Sequence, residues 1–276
     1  MPHIKLRPDK DMLVHKVKAN GISLLVIEPR ERKENAPIVL WIHGGGYFAG
    51  IKEMVFMSRA ANLVNKFGVV VVSPGYHLAI HNPYPAALND CYSALLWTYE
   101  HATEYGASKD KIIVGGESAG GGLAISVCIK ARDTGDVPVR YQIPLYPMIS
   151  NVDTETSIDN HGKIWNTRLN HLGWKLYLRK DTPNAISPYA APANETDFHD
   201  MPPCYTFVGD GEPFYKETLD YVEHLKNVGI SAEADVYHTN VHAFDMLYPE
   251  REESKKAITR FEEKFEEILQ NITALD

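Results

Sequence analysis

Ile112-Ile113-Val114-Gly115-Gly116-Glu117-Ser118-Ala119-Gly120-Gly121-Gly122 runs from a short β-branched segment into a helical pattern through a single serine set among glycines. The run Ile112 to Val114 predicts a strand buried on both faces. The stretch from Ser118 to Ala131 carries apolar residues at helical spacing and predicts a helix. Gly116 to Gly120 is therefore a G-x-S-x-G placed at a strand-to-helix turn. The flanking glycines let the backbone pack tightly while the serine takes a strained conformation that lifts its Oγ at the helix N-terminus. Taken alone, the pentapeptide also suits a glycine-rich turn with an ordinary N-cap serine.

Working outward, short apolar runs recur at Leu24 to Ile27, Ile38 to Ile42, Val69 to Val72 and Tyr205 to Val208, and each predicts a buried strand. Helical patterns alternate with them at Ala86 to His101, at Phe214 to Val228 and in a C-terminal segment striped by Ile258, Phe261, Phe265, Ile268, Leu269 and Ile272. Ala232 to Tyr237 mixes small, acidic and apolar residues, as a strand near the sheet edge does. The alternation predicts an α/β fold with a mainly parallel central sheet and helices on both faces. The stretch 150–203 breaks the pattern with turn-forming and aromatic residues and a short helix candidate at Asn170 to Tyr177, and is expected to be a cap inserted on one domain spanning residues 1–276.

A second glycine cluster, His43-Gly44-Gly45-Gly46-Tyr47, follows the Ile38 to Ile42 run. Acyl transfer passes through a tetrahedral oxyanion that needs backbone N–H groups uncrowded by side chains. Gly45 and Gly46 are candidates to supply two, and Ala119, after the serine, a third. Neither the dinucleotide fingerprint nor a Walker pattern occurs in this loop, which argues against a phosphate-binding turn. Serine chemistry then needs a histidine base and an orienting acid, in chain order Ser, acid, His. Of twelve histidines, His238 and His242 follow the last candidate strand. His242 lies beyond the polar turn Thr239-Asn240 and is the expected base. The acid is expected in Gly209-Asp210-Gly211-Glu212-Pro213-Phe214, where Glu212 and Asp210 compete. Glu212 is favoured because Pro213 suits a first helical position, placing Glu212 at the strand-to-helix crossing.

The chain has 276 residues, is 44% hydrophobic and 23% charged, and has a formal net charge of -8. These values fit an ordinary globular domain. They offer no basic surface for nucleic acid or anionic lipid, so neither is an expected partner. Three scattered cysteines, Cys91, Cys128 and Cys204, suggest reduced buried thiols. No apolar leader opens at Met1, and no run reaches the length of a membrane span, so a cytoplasmic location is expected. His238 and His242 stand four apart but lack an H-E-x-x-H pattern or a nearby third ligand, so no metal is expected, and acyl transfer through a serine is self-contained, so no cofactor is expected either.

Together the HGGG box, GESAGG at Gly116 to Gly121, Ser187-Pro188-Tyr189-Ala190-Ala191-Pro192, the Glu212-Pro213-Phe214 loop and His242-Ala243-Phe244-Asp245 resemble the hormone-sensitive-lipase-like esterases, bacterial family IV, of the α/β-hydrolase fold-3 group. The likeness covers most of the chain. It implies an α/β-hydrolase fold with Ser118 as nucleophile, His242 as base, Glu212 as acid, and Gly45, Gly46 and Ala119 as oxyanion donors. The acid in this group commonly precedes Pro-Phe or Pro-Leu, which again favours Glu212. The family usually carries N-terminal lid helices, whereas the segment before His43 is short and mostly strand-like. A reduced cap is therefore expected, with a more open site shaped by Trp165 and Trp174. The implied function is a serine carboxylesterase acting on short-chain acyl esters. An amidase or formamidase on the same groups, and a non-catalytic small-molecule-binding protein, are the alternatives. The expected partner is a small acyl ester, and the sequence leaves room for a homo-oligomer.

Overall fold

The computed structural model describes residues 6–179 and 186–273. Residues 180–185 of the expected cap, and Met1 to Lys5, on which the absence of a leader was judged, lie outside the described residues. The central sheet has eight strands in the order β1-β2-β4-β3-β5-β6-β7-β8. They are β1 (Met12–Ala19), β2 (Ile22–Pro29), β3 (Ala36–Ile42), β4 (Val70–Gly75), β5 (Ala107–Glu117), β6 (Val139–Leu145), β7 (Cys204–Gly209) and β8 (Ala232–Tyr237). β1 and β2, and β2 and β4, pair antiparallel, and every later pairing is parallel.

The helices are α1 (Arg59–Phe67), α2 (Ala86–His101), α3 (Ala119–Thr134), α4 (Thr167–Leu178), α5 (Tyr215–Asn227), α6 (Phe244–Leu247) and α7 (Glu252–Thr273). Two apolar layers form, one on each face of the sheet. Leu88 and Leu95 of α2, Leu123 and Val127 of α3, and Tyr221 and Leu225 of α5 pack on one face. Leu63 and Val64 of α1 and Phe261, Phe265 and Ile268 of α7 pack on the other. Coverage from both sides explains why Val39, Leu40, Ile113 and Val114 are fully buried and why their strands read as continuous apolar runs.

The glycines after Ser118 set how closely α3 approaches the sheet. A Cβ on Gly120 would lie 2.1 Å from the carbonyl oxygen of Ile42 at the end of β3. Only glycine lets the first turn of α3 rest on that strand end, which brings Ser118 beside the loop that follows β3. The site thus forms at the carboxyl ends of the parallel strands, where open α/β sheets place their ligands.

Candidate active site

β5 ends at Glu117, and Ser118 adopts φ 57° and ψ -122° as the residue before α3. A side chain at positive φ is strained, and the strain is held by the backbone: Ser118 N donates to Leu145 O at 3.0 Å, while Ser118 O accepts from Gly122 N and Met148 N, each at 3.0 Å. The side chain makes no capping bond to α3. Its Oγ lies 2.8 Å from His242 Nε2. The ordinary N-cap reading of this serine is therefore not what the fold uses.

His242 Nδ1 lies 2.5 Å from Glu212 Oε2, and Glu212 Oε1 accepts from Gly209 N at 2.8 Å. An ionised carboxylate only accepts, so the proton sits on Nδ1 and Nε2 is left to accept from the Ser118 hydroxyl. Glu212 is fully buried. Burial pushes its carboxyl above the usual range, while hydrogen bonds from His242 and the Gly209 N–H oppose the rise. The imidazole is gripped between Tyr146 and Phe214, both edge-on with centroids 5.1 Å away.

Asp210, the competing acid, goes elsewhere. Its Oδ2 lies 2.7 Å from Nδ1 of the exposed His238, and Oδ1 accepts from Thr239 N at 3.1 Å. The helical role expected of Pro213 is corrected: α5 starts at Tyr215. Glu212 N bonds Gly209 O at 3.1 Å and Tyr215 N bonds Glu212 O at 3.3 Å, so residues 209–214 are spent on turns that swing the Glu212 carboxylate toward His242.

In the loop after β3, Gly45 has φ 121° and Gly46 φ 60°. A Cβ on Gly46 would stand 2.1 Å from Trp165 Cη2, so glycine is needed there for both conformation and space. His43 supports the loop from below. Its Nδ1 lies 2.8 Å from Gly44 O, its ring stacks on Tyr76 at 4.2 Å, and Tyr76 OH donates to His43 O at 3.0 Å. Burial lowers His43 to about 4, so near neutral pH it is an uncharged imidazole that donates to the Gly44 carbonyl. Ala119 opens α3, and its N–H has no acceptor one turn earlier in the helix.

Ser118 and His242 are only 6% and 5% exposed. Trp165 lies across Gly46 and reaches Phe48 at 6.1 Å, His242 at 6.3 Å and Phe214 at 6.4 Å between ring centroids. Trp174 sits farther back, 5.3 Å from Tyr47. Trp165 is delivered by the segment between β6 and β7.

Three features of the site went unread in the sequence. Tyr146 was not singled out, although it immediately follows a buried strand. Asp245, inside the His-Ala-Phe-Asp run, is fully buried, forms an ion pair with Arg59 whose Nε lies 2.9 Å from Oδ2, and accepts from Tyr146 OH at 2.9 Å. Glu117, the variable residue of G-x-S-x-G, is 3% exposed and accepts from Trp41 Nε1 at 2.7 Å. A carboxylate inside each of the two motifs was the available signal. Among the described residues no group of three or more His, Cys, Asp or Glu is placed to hold a metal ion.

A family model described as alpha/beta hydrolase fold matches residues 39–246. The chain belongs to this family, in the hormone-sensitive-lipase-like group that its motifs resemble. Among curated proteins it is similar to esterase LipI of Mycobacterium tuberculosis, 31% identical over 212 residues that cover 76% of this chain and 66% of LipI. It thus spans about two thirds of that relative's length. Among solved structures it is similar to a bacterial heroin esterase, with TM-score 0.86, 29% identity and coverage of 95% of this chain and 84% of that one. A hyperthermophilic esterase from the archaeon Pyrobaculum calidifontis aligns with TM-score 0.82 and 32% identity over 92% of this chain and 84% of its own.

Proposed function

We propose that this chain is a serine carboxylesterase that hydrolyses short-chain acyl esters through an acyl-serine intermediate. The observation that carries the reading is the continuous path from Ser118 Oγ to His242 Nε2 at 2.8 Å and from His242 Nδ1 to Glu212 Oε2 at 2.5 Å. In the proposed cycle His242 takes the Ser118 proton as Oγ attacks the ester carbonyl. The developing oxyanion is met by the N–H groups of Gly45, Gly46 and Ala119. His242 then protonates the leaving alcohol, and water repeats the attack with the same base. Glu212 holds the imidazole in the required tautomer and offsets its transient charge. No cofactor enters these steps.

The relatives named as esterases support ester rather than amide substrates. A Ser–His–Glu path within hydrogen-bond reach supports catalysis rather than binding alone. Trp165 supports a short acyl chain, because it occupies space beside Gly46 and His242 that a long chain would need. We assign residues 150–203 as a cap on one catalytic domain for the same reason. The three cysteines are free and buried, which suits a reducing compartment, and we propose that the enzyme works in the cytoplasm. Among the described residues no helix is long and apolar enough to cross a membrane. The substrate claim is checked with p-nitrophenyl acetate, butyrate and laurate. The two shorter esters are expected to be turned over with the higher kcat/KM, and a preference for laurate would overturn the short-chain reading.

A further inference from the structure

The carboxyl group immediately before the nucleophile has a hydrogen-bonding environment that suits one protonation state. Glu117 Oε1 accepts from Trp41 Nε1 at 2.7 Å, and the Ser58 hydroxyl sits beside the same carboxyl group. Ser58 Oγ already donates its only proton to Val55 O at 2.9 Å and accepts from Ala60 N at 3.1 Å. Among the described residues Trp41 thus gives the side-chain hydrogen bond to Glu117 that the geometry shows. The cation within reach is already committed, since Arg59 Nε meets Asp245 Oδ2 at 2.9 Å. The other titratable groups that face Glu117 are Asp245 of α6, Tyr146 after β6 and Tyr76 after β4. None of these brings a positive charge. One donor, nearly complete burial and no ion pair among the described residues suit a carboxylic acid, since a buried carboxylate there would have no cation of its own.

The same residue joins the two loops that make up the site. Trp41 belongs to β3, which runs directly into His43 and the glycine loop. Gly44 packs on the Glu117 peptide so closely that a Cβ there would be 2.9 Å from Glu117 O. We propose that Glu117 is a positioning residue that acts as a neutral carboxylic acid, held by Trp41 of β3 and so fixing the Ser118 turn against the Gly44 to Gly46 loop. Ionisation places an unpaired buried charge next to Ser118 and loosens that register. Burial supports this by raising the Glu117 carboxyl to about 8, which keeps the proton in place near neutral pH. The proposal rests on the esterase reading for its kinetic consequence but not for the protonation state.

The test compares wild type, Glu117→Gln and Glu117→Leu with p-nitrophenyl butyrate from about pH 6 to about pH 10, together with the rate of fluorophosphonate labelling at Ser118. Glutamine keeps one acceptor and one donor without an ionisable proton. It is expected to recover most of the neutral-pH kcat that leucine loses, with leucine down roughly ten-fold or more and KM little changed in both. The alkaline fall of wild-type kcat is expected to be absent in Glu117→Gln. A glutamine variant as impaired as the leucine one, or one that keeps the wild-type alkaline fall, would overturn the proposal.

Urea unfolding as a function of pH tests the protonation state separately. The native chain holds a proton that the unfolded chain releases, so wild-type stability falls as pH rises from the ordinary glutamate value of 4.5 to about 8. The stability advantage of Glu117→Gln should grow over that window, and an unchanged difference would also overturn the proposal. Failure of labelling and turnover in folded wild type would count against the esterase reading instead, and leaves the unfolding test in force.

Discussion

Two carboxylates two residues apart, Glu212 and Asp210, each hydrogen-bond a histidine of the loop after β8, yet the pairs differ in nearly everything else. The Glu212–His242 pair spans 2.5 Å with side chains 0% and 6% exposed, whereas Asp210–His238 spans 2.7 Å with side chains 38% and 95% exposed. Water screens the outer pair and supplies alternative partners to both of its members. The inner pair has no such alternatives, and His242 is further held by Tyr146 and Phe214 and aimed at Ser118. The same chemical contact is thus a surface ion pair in one place and part of the proposed reaction path in the other. Burial and the third partner make the difference, not the residue types.

Replacing the two histidines gives the largest contrast. His242→Gln is expected to lower kcat for p-nitrophenyl butyrate by roughly ten-thousand-fold or more. His238→Gln should leave it within about two-fold. Comparable losses from both would break the distinction. The acids should repeat the pattern at smaller amplitude. Glu212→Gln is expected to cost on the order of a hundred-fold to ten-thousand-fold in kcat with KM nearly unchanged, since it removes the charge that steadies the imidazolium. Asp210→Asn should cost about two-fold at most. A mild Glu212→Gln together with a severe Asp210→Asn would transfer the acid role to Asp210.

Gly46→Ala should fall next, at roughly ten-fold or more in kcat/KM. It would push Trp165 off the proposed oxyanion loop and force a side chain into positive φ. Steady-state kinetics with the acetate ester, read beside a thermal melt, separates the loop effect from unfolding, and wild-type kcat/KM in a folded variant would deny the loop its role.

The smallest effect belongs to the outer pair and depends on pH. The hydrogen bond to Asp210 raises His238 above its ordinary 6.5. Its stabilising contribution is complete below that value and is lost as pH rises through the raised folded-state pKa. Asp210→Asn should therefore lower the His238 midpoint in an NMR titration. Its effect on urea unfolding should appear on the acid side, vanish on the alkaline side and shrink with salt. An effect that persists at alkaline pH would show that Asp210 does something other than pair with His238.

The parts of this molecule that could be read in the sequence are those whose cause is local. Continuous apolar runs gave β2, β3, β4, β5 and β7 because helices cover both faces of those strands. The glycines around Ser118 and at positions 44–46 are required by backbone geometry and close approach, and so they stand out as motifs. β1 was less visible because, at the sheet margin, only its end residues Met12 and Ala19 are buried and the residues between them are half-buried or exposed. β6 hid behind Gln142 and Pro144. The Gln142 amide is buried at no cost to the strand because it donates to Pro202 O at 2.8 Å and accepts from Tyr221 OH at 2.7 Å. The choice between Glu212 and Asp210 leaned on the Pro-Phe that follows. The distance that separates them depends on a turn at Gly209 and on the reach of the β8 loop. The contact of Trp165 with the Gly46 loop and the buried pairing of Arg59 with Asp245 join segments far apart in the chain, and no local pattern encodes such meetings.

The most direct test of the whole account is to treat folded wild type and Ser118→Ala with a fluorophosphonate, map the modified residue by mass spectrometry and assay p-nitrophenyl butyrate on the same samples. The account requires a single adduct at Ser118 and ester turnover in wild type, with both lost in the variant. An adduct elsewhere, or turnover that survives Ser118→Ala, would contradict it.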